Sequence, residues 1–116
     1  MKHLLFLLFP LITFVNAQEK EKICLIISFE NFQNIEYQGT KEYLENKNYK
    51  IITASTQKNY ATGKLGEKVK IDLLVKDIKV FDYVAIVFIG GSGSSIYWNN
   101  KIAHNICKET FVPSCI

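Results

Sequence analysis

Three places in the chain bring together residue types that do chemistry. Gly90-Gly91-Ser92-Gly93 follows an apolar run and precedes a helical pattern. Glycines at such a turn let the backbone reverse sharply and leave amide N–H groups free to face an anion. No Gly-Lys-Ser/Thr accompanies it and the spacing is not Gly-x-Gly-x-x-Gly, so the nucleotide-binding motifs are excluded. A phosphate-cradling loop and a tight turn without a ligand both remain. Glu36 stands near the start of a helical pattern, just after the first strand and its loop. A carboxylate held there serves as a general base or shares the proton of a nearby thiol. The alternative is a helix-start carboxylate that favours the positive end of the dipole. Cys115 follows a short apolar stretch at the end of the sequence. At a strand-to-helix turn near amide donors its thiol pKa would fall and it would be a nucleophile; otherwise it is a thiol in a tail.

Other reactive types read as structural. Cys24 sits in an apolar strand-like run and Cys107 in a helical pattern, so both read as packing. His104, beside Asn105 in mid-helix, reads as a surface or partly buried helix residue rather than a base. No Cys/His/Asp spacing makes a metal site, and no cofactor is expected.

The elements that must position these residues follow from hydropathy. Ile23-Cys24-Leu25-Ile26-Ile27, closed by Ser28, is a continuous apolar run that suits a strand covered on both faces. Phe29 to Asn34 reads as a loop and Ile35 to about Lys47 as a helix. Tyr49 to Ala54 is a second strand. Ala61-Thr62-Gly63-Lys64-Leu65-Gly66, with alternation at Val69 and Ile71, predicts a small hairpin. Leu73 and Leu74 lead an excursion ending near Lys79. Tyr83 to Ile89 is the most apolar segment after the leader and a further strand. Tyr97 to about Thr110 reads as a helix with Ile102, Ala103, Ile106 and Cys107 on one face. Phe111 to Ile116 starts what could be one more strand. This order is that of a doubly wound parallel α/β sheet.

The first seventeen residues differ from the rest. Lys2 and His3 precede the apolar run Leu4 to Val15, then Val15-Asn16-Ala17 gives way to polar residues. This is the pattern of a secretory signal cleaved after Ala17. Its apolar run is shorter than the roughly 20 residues of a membrane span. The expectation is an exported protein, periplasmic or secreted, with residues 1–17 as signal peptide, residues 18–116 as one domain and no stable membrane insertion after cleavage. Net charge is +3, hydrophobic content 48% and charged content 22%. These are globular values, and the lysines are scattered, which argues against a nucleic-acid partner.

Taken in order, several segments resemble the DJ-1/PfpI family of the class I glutamine amidotransferase-like superfamily. They are Ile23–Ser28, Phe32-Gln33-Asn34-Ile35-Glu36-Tyr37, Ala61-Thr62-Gly63 with Val69 and Asp72, and Phe81-Asp82-Tyr83 leading to Gly90-Gly91. The resemblance spans roughly Lys22 to Thr110. It implies a flavodoxin-like three-layer sandwich, a homodimer when the domain is complete, and a cysteine on a nucleophile elbow. Glu36 matches the family glutamate beside that thiol, Gly90 and Gly91 match the turn that supplies backbone donors, and Cys115 is the matching nucleophile. The stretch between Gly91 and Cys115 is several residues shorter than in the family, and members continue past the cysteine, often with a histidine partner. The expectation is therefore the N-terminal portion of such a domain, truncated at its C-terminus. Three functions fit: a cysteine-based enzyme of peptidase, glyoxalase or deglycase type acting on a small-molecule or peptide substrate; a redox-sensing or chaperone-like protein; or an inactive truncated fragment.

Overall fold

The computed structural model describes residues 19–110. The expected signal peptide and Cys115 lie outside those residues. Seven strands form: β1 (Lys22–Ile26), β2 (Glu30–Phe32), β3 (Lys50–Ser55), β4 (Tyr60–Gly63), β5 (Lys68–Lys70), β6 (Leu73–Leu74) and β7 (Ala85–Phe88). Helix α1 is Asn34–Asn46 and α2 is Lys101–Glu109. β6, β3, β1 and β7 make one sheet in that order, every pairing parallel. The parallel sheet with its helices is the α/β class that the order of elements predicts, and the fold is flavodoxin-like, as the resemblance implies.

β1 is central and explains its own sequence. Alternate residues point to opposite faces of a strand. Ile23, Leu25 and Ile27 enter one core with Phe32, Tyr37, Ala61 and Ile71. Cys24 and Ile26 enter the other with Ala54, Val80, Tyr97, Ala103 and Ile106. Both faces are buried, so no polar residue interrupts the run. The first core lies under α1 and the small sheet, the second under α2 and short 3-10 turns.

Three segments differ from the sequence reading. The stretch read as a loop contains β2, which pairs parallel with β4 and extends the expected β4–β5 hairpin into a three-stranded sheet. Leu73 and Leu74, read as an excursion, pair with Ala54 and Ser55 and form the sheet's outer strand. The helix read over Tyr97–Thr110 starts later, as α2 at Lys101, and a 3-10 segment Ser92–Tyr97 precedes it. Asn100 divides them: its side chain accepts from the Ala103 N–H at 2.9 Å and caps α2.

Candidate functional site

Glu36 lies in the first turn of α1. The Gln33 side chain accepts from the Ile35 N–H at 3.3 Å and starts the helix there. Position three of the helix turns the carboxylate toward the end of β7. Glu36 Oε1 accepts a hydrogen bond from the Gly90 N–H at 2.5 Å. A donor this close to an ionised carboxylate is a charge-assisted bond. The Gly90 carbonyl in turn accepts from the Gln33 N–H at 2.9 Å. The start of α1 and the turn that follows β7 are thereby joined, and both of Gly90's backbone groups are engaged.

The sequence reading treated Gly90 and Gly91 as equivalent donors, and the structure separates them. Gly90 spends its N–H on Glu36. Gly91 N–H has no acceptor among the described residues. Gly91 has φ of 123°, a conformation that side chains rarely adopt. A Cβ there would sit 2.6 Å from the Gln33 nitrogen and 2.7 Å from the Asn31 oxygen. The turn thus needs glycine at this position both for its angle and for the close approach of the two loops.

Beyond the turn, Tyr97 fixes its far end. Its hydroxyl donates to the Ile27 carbonyl at 2.8 Å, and its ring meets Phe88 edge-on at 5.7 Å. Ser55 Oγ donates to the same carbonyl at 2.7 Å. Burial pushes the Tyr97 pKa up to about 12, a nearby Ser55 hydrogen bond opposing the shift and the charge of Cys24 adding to it. A cavity of about 390 Å³ opens beside Gly90, lined in part by Phe88, Tyr97, Trp98 and His104. His104 Nε2 lies 2.7 Å from the Trp98 carbonyl and is exposed, in keeping with its reading as a helix residue. The tyrosine clamp and the Gln33 link had no signal in the sequence, because each joins segments far apart in the chain.

The cysteines differ sharply. Cys24 is fully buried, and burial, with a smaller push from the Asp72 charge, raises its pKa to about 12. It stays a thiol at neutral pH and is inert. Cys107 is disulfide-bonded. Cys115, the expected nucleophile, lies outside the described residues. Among the described residues no group of three His, Cys, Asp or Glu could hold a metal ion.

The chain that carries this arrangement has counterparts among known proteins. The family model described as DJ-1/PfpI family matches residues 21–114. An uncharacterized protein of Methanocaldococcus jannaschii is 32% identical over 103 residues, which cover 83% of this chain and 50% of that protein. An uncharacterized protein of Staphylococcus aureus is 36% identical over 72 residues, 61% of this chain and 42% of its own. Among solved structures, a ThiJ/PfpI domain protein from Brachyspira murdochii superposes with a TM-score of 0.74 at 33% identity, over 78% of this chain and 53% of that one. A two-domain Anabaena variabilis protein with DJ-1/ThiJ/PfpI-like and ferritin-like domains gives 0.71 at 17% identity, over 78% of this chain and 26% of that one, a likeness of fold alone. The chain spans about half the length of the curated relatives it matches.

Proposed function

The chain belongs to the DJ-1/PfpI family, and from that premise we propose that it carries the glutamate-and-glycine part of a cysteine-dependent site. The observation that carries this reading is the 2.5 Å bond from Gly90 N–H to Glu36 Oε1 at the sheet's carboxyl edge. That bond fixes one carboxylate oxygen and leaves the other for a thiol proton. In this reading the nucleophile is Cys115. Its thiolate adds to a carbonyl carbon, Glu36 takes the thiol proton, and the free Gly91 N–H donates to the oxyanion that forms. A peptide, a small reactive carbonyl and a glycated adduct are all substrates of this chemistry. A second copy of the complete domain and export from the cytoplasm belong to the same reading.

The reaction needs the reduced protein. The chain has three cysteines, and a disulfide at Cys107 draws on that small set while Cys24 remains free. The same disulfide favours a second reading, in which thiol oxidation is itself the output and the protein senses redox state.

The test is thiol alkylation of the reduced chain across pH. The enzymatic reading expects one cysteine to react well below its usual pKa and Cys24 to stay unlabelled until unfolding. Uniformly unreactive thiols would sink both readings. A reactive thiol whose oxidation is reversible, without turnover of any carbonyl or peptide substrate, would leave the redox reading alone.

A further inference from the structure

The disulfide at Cys107 identifies its own partner. The chain has three cysteines, Cys24, Cys107 and Cys115. Cys107 is disulfide-bonded, while Cys24 is a free and fully buried thiol. Elimination leaves Cys115, which lies outside the described residues.

The end of α2 fits that pairing. A disulfide needs its two Cα atoms within about 7 Å. A helix running on from Cys107 to residue 115 would hold them about 12 Å apart. α2 instead stops at Glu109. Thr110 has left the helix with an extended backbone, and its hydroxyl donates to the Cys107 carbonyl at 2.9 Å. The chain from Thr110 to Cys115 spans at most about 17 Å, ample for Cys115 to return to Cys107.

The place of the bond gives it a chemical consequence. Cys107 is half-buried in the last turn of α2 and lines the cavity of about 390 Å³ that Gly90 also lines. Gly90 is the residue whose N–H donates to Glu36. A cysteine bonded to Cys107 is therefore held at the wall of the cavity beside the glutamate-bound turn.

We propose that Cys107 is the resolving cysteine of Cys115, and that their reversible disulfide stores the site thiol in a protected form. The oxidant is a hydroperoxide. The Cys115 thiolate attacks a peroxide oxygen: an S–O bond forms, the O–O bond breaks, and the departing oxygen takes a proton and leaves as water or an alcohol. The Cys107 thiolate then attacks the sulfenic sulfur: the S–S bond forms, the S–O bond breaks, and hydroxide takes the second thiol proton and leaves as water. The two thiols lose two electrons and the peroxide gains them. A reducing dithiol reverses the bond and becomes a disulfide itself. Resolution in this way stops the sulfur short of the irreversible sulfinic acid. The role given to Cys107 rests on the reading of Cys115 as nucleophile; the pairing does not.

The experiment is peptide mapping of the full chain without reductant, before and after hydrogen peroxide. Trypsin cuts after Lys101 and Lys108, so residues 102–108 carry Cys107 alone and residues 109–116 carry Cys115 alone. The two peptides are expected to run joined, about 2 Da lighter than their sum, and to separate with dithiothreitol. In Cys107→Ser, peroxide should instead make the 109–116 peptide heavier by about 32 Da, the mass of a sulfinic acid's two oxygens. Cys107 joined to Cys24, unjoined peptides in the peroxide-treated parent, or equal sulfinic acid in parent and variant would overturn the proposal. Joined peptides with a Cys115 that reacts only near its ordinary pKa would keep the pairing and end the nucleophile reading. Unjoined peptides with a low-pKa Cys115 would end this inference and keep that reading, so the two fail separately.

Discussion

Glu36 illustrates how one hydrogen bond gives a side chain a role. An exposed carboxylate in a first helical turn is ordinary; one anchored at 2.5 Å to a strand-end amide is held in a single orientation. Glu36→Gln keeps the shape and removes the charge. In the reduced protein we expect the apparent pKa of the reactive thiol to move by about one unit, measured from alkylation rate against pH. An unchanged profile removes Glu36 from the site. Tyr97 supports a pH prediction. Its pKa rises from 10.0 to about 12 on folding. A raised folded-state value means that its neutral form is favoured by the fold, so its stabilisation is complete below pH 10.0 and is lost as pH rises toward about 12. Cys24, raised from 9.0 to about 12, behaves alike and begins to lose stabilisation above 9.0. Thermal midpoints should fall through this alkaline window, and Tyr97→Phe should flatten the part of the decline above pH 10.0. An identical decline in the variant would refute the assignment.

At the scale of elements, the strands and helices that bury a long apolar face were legible, and those held by one or two long-range pairs were not. β1 and β7 show in the sequence as apolar runs. β2 does not, because Glu30-Asn31-Phe32 has one buried residue and owes its strand form to β4. β6 is two residues paired with the end of β3, too short for any periodicity. The helix after the glycine turn was begun too early, because its apolar face, Ile102, Ala103, Ile106 and Cys107, lies wholly within α2 and does not mark where the helix starts. α1 shows a similar hidden support. Asn34 is buried, and its Oδ1 accepts from the Leu65 N–H at 2.8 Å across 31 residues. Gly63 packs directly on that amide, with no room for a Cβ. This contact holds the hairpin loop against the start of the helix that carries Glu36. Asn34→Ala leaves the Leu65 N–H without its partner, at a cost of about 1–3 kcal/mol. Denaturant unfolding should show that loss, and the Gly90 amide shift should move with it. A variant as stable as the parent would show that the contact is dispensable.

Across the whole molecule, the two edges of the sheet differ. β6 is short, whereas β7 has no further strand beside it among the described residues. Ala85 and Val84 are exposed, and Ile86, Val87 and Phe88 are half-buried, although this is among the most apolar runs in the chain. An unpaired apolar edge invites pairing with another chain. The isolated chain should therefore self-associate with concentration in sedimentation velocity, and Val84→Lys, which adds a charge beside that edge, should shift it toward monomer. A monomeric parent at high concentration would contradict this. For the leader, terminal sequencing of the exported protein should find Gln18 first. Finding Met1 would overturn the export reading.

The sequence by itself determined the class of fold, because a strand buried on both faces must be apolar throughout and a chain alternating such strands with helices has few ways to close. It also singled out Glu36 and the Gly90-Gly91 turn, since a strand-end glycine pair and a helix-start carboxylate are local features. Only the tertiary structure decided that Glu36 takes the Gly90 amide, while that of Gly91 has no acceptor among the described residues. It alone brought Tyr97 to the Ile27 carbonyl. Those outcomes depend on distances between segments tens of residues apart, which are set by the packing of the whole sheet and leave no mark on neighbouring residues.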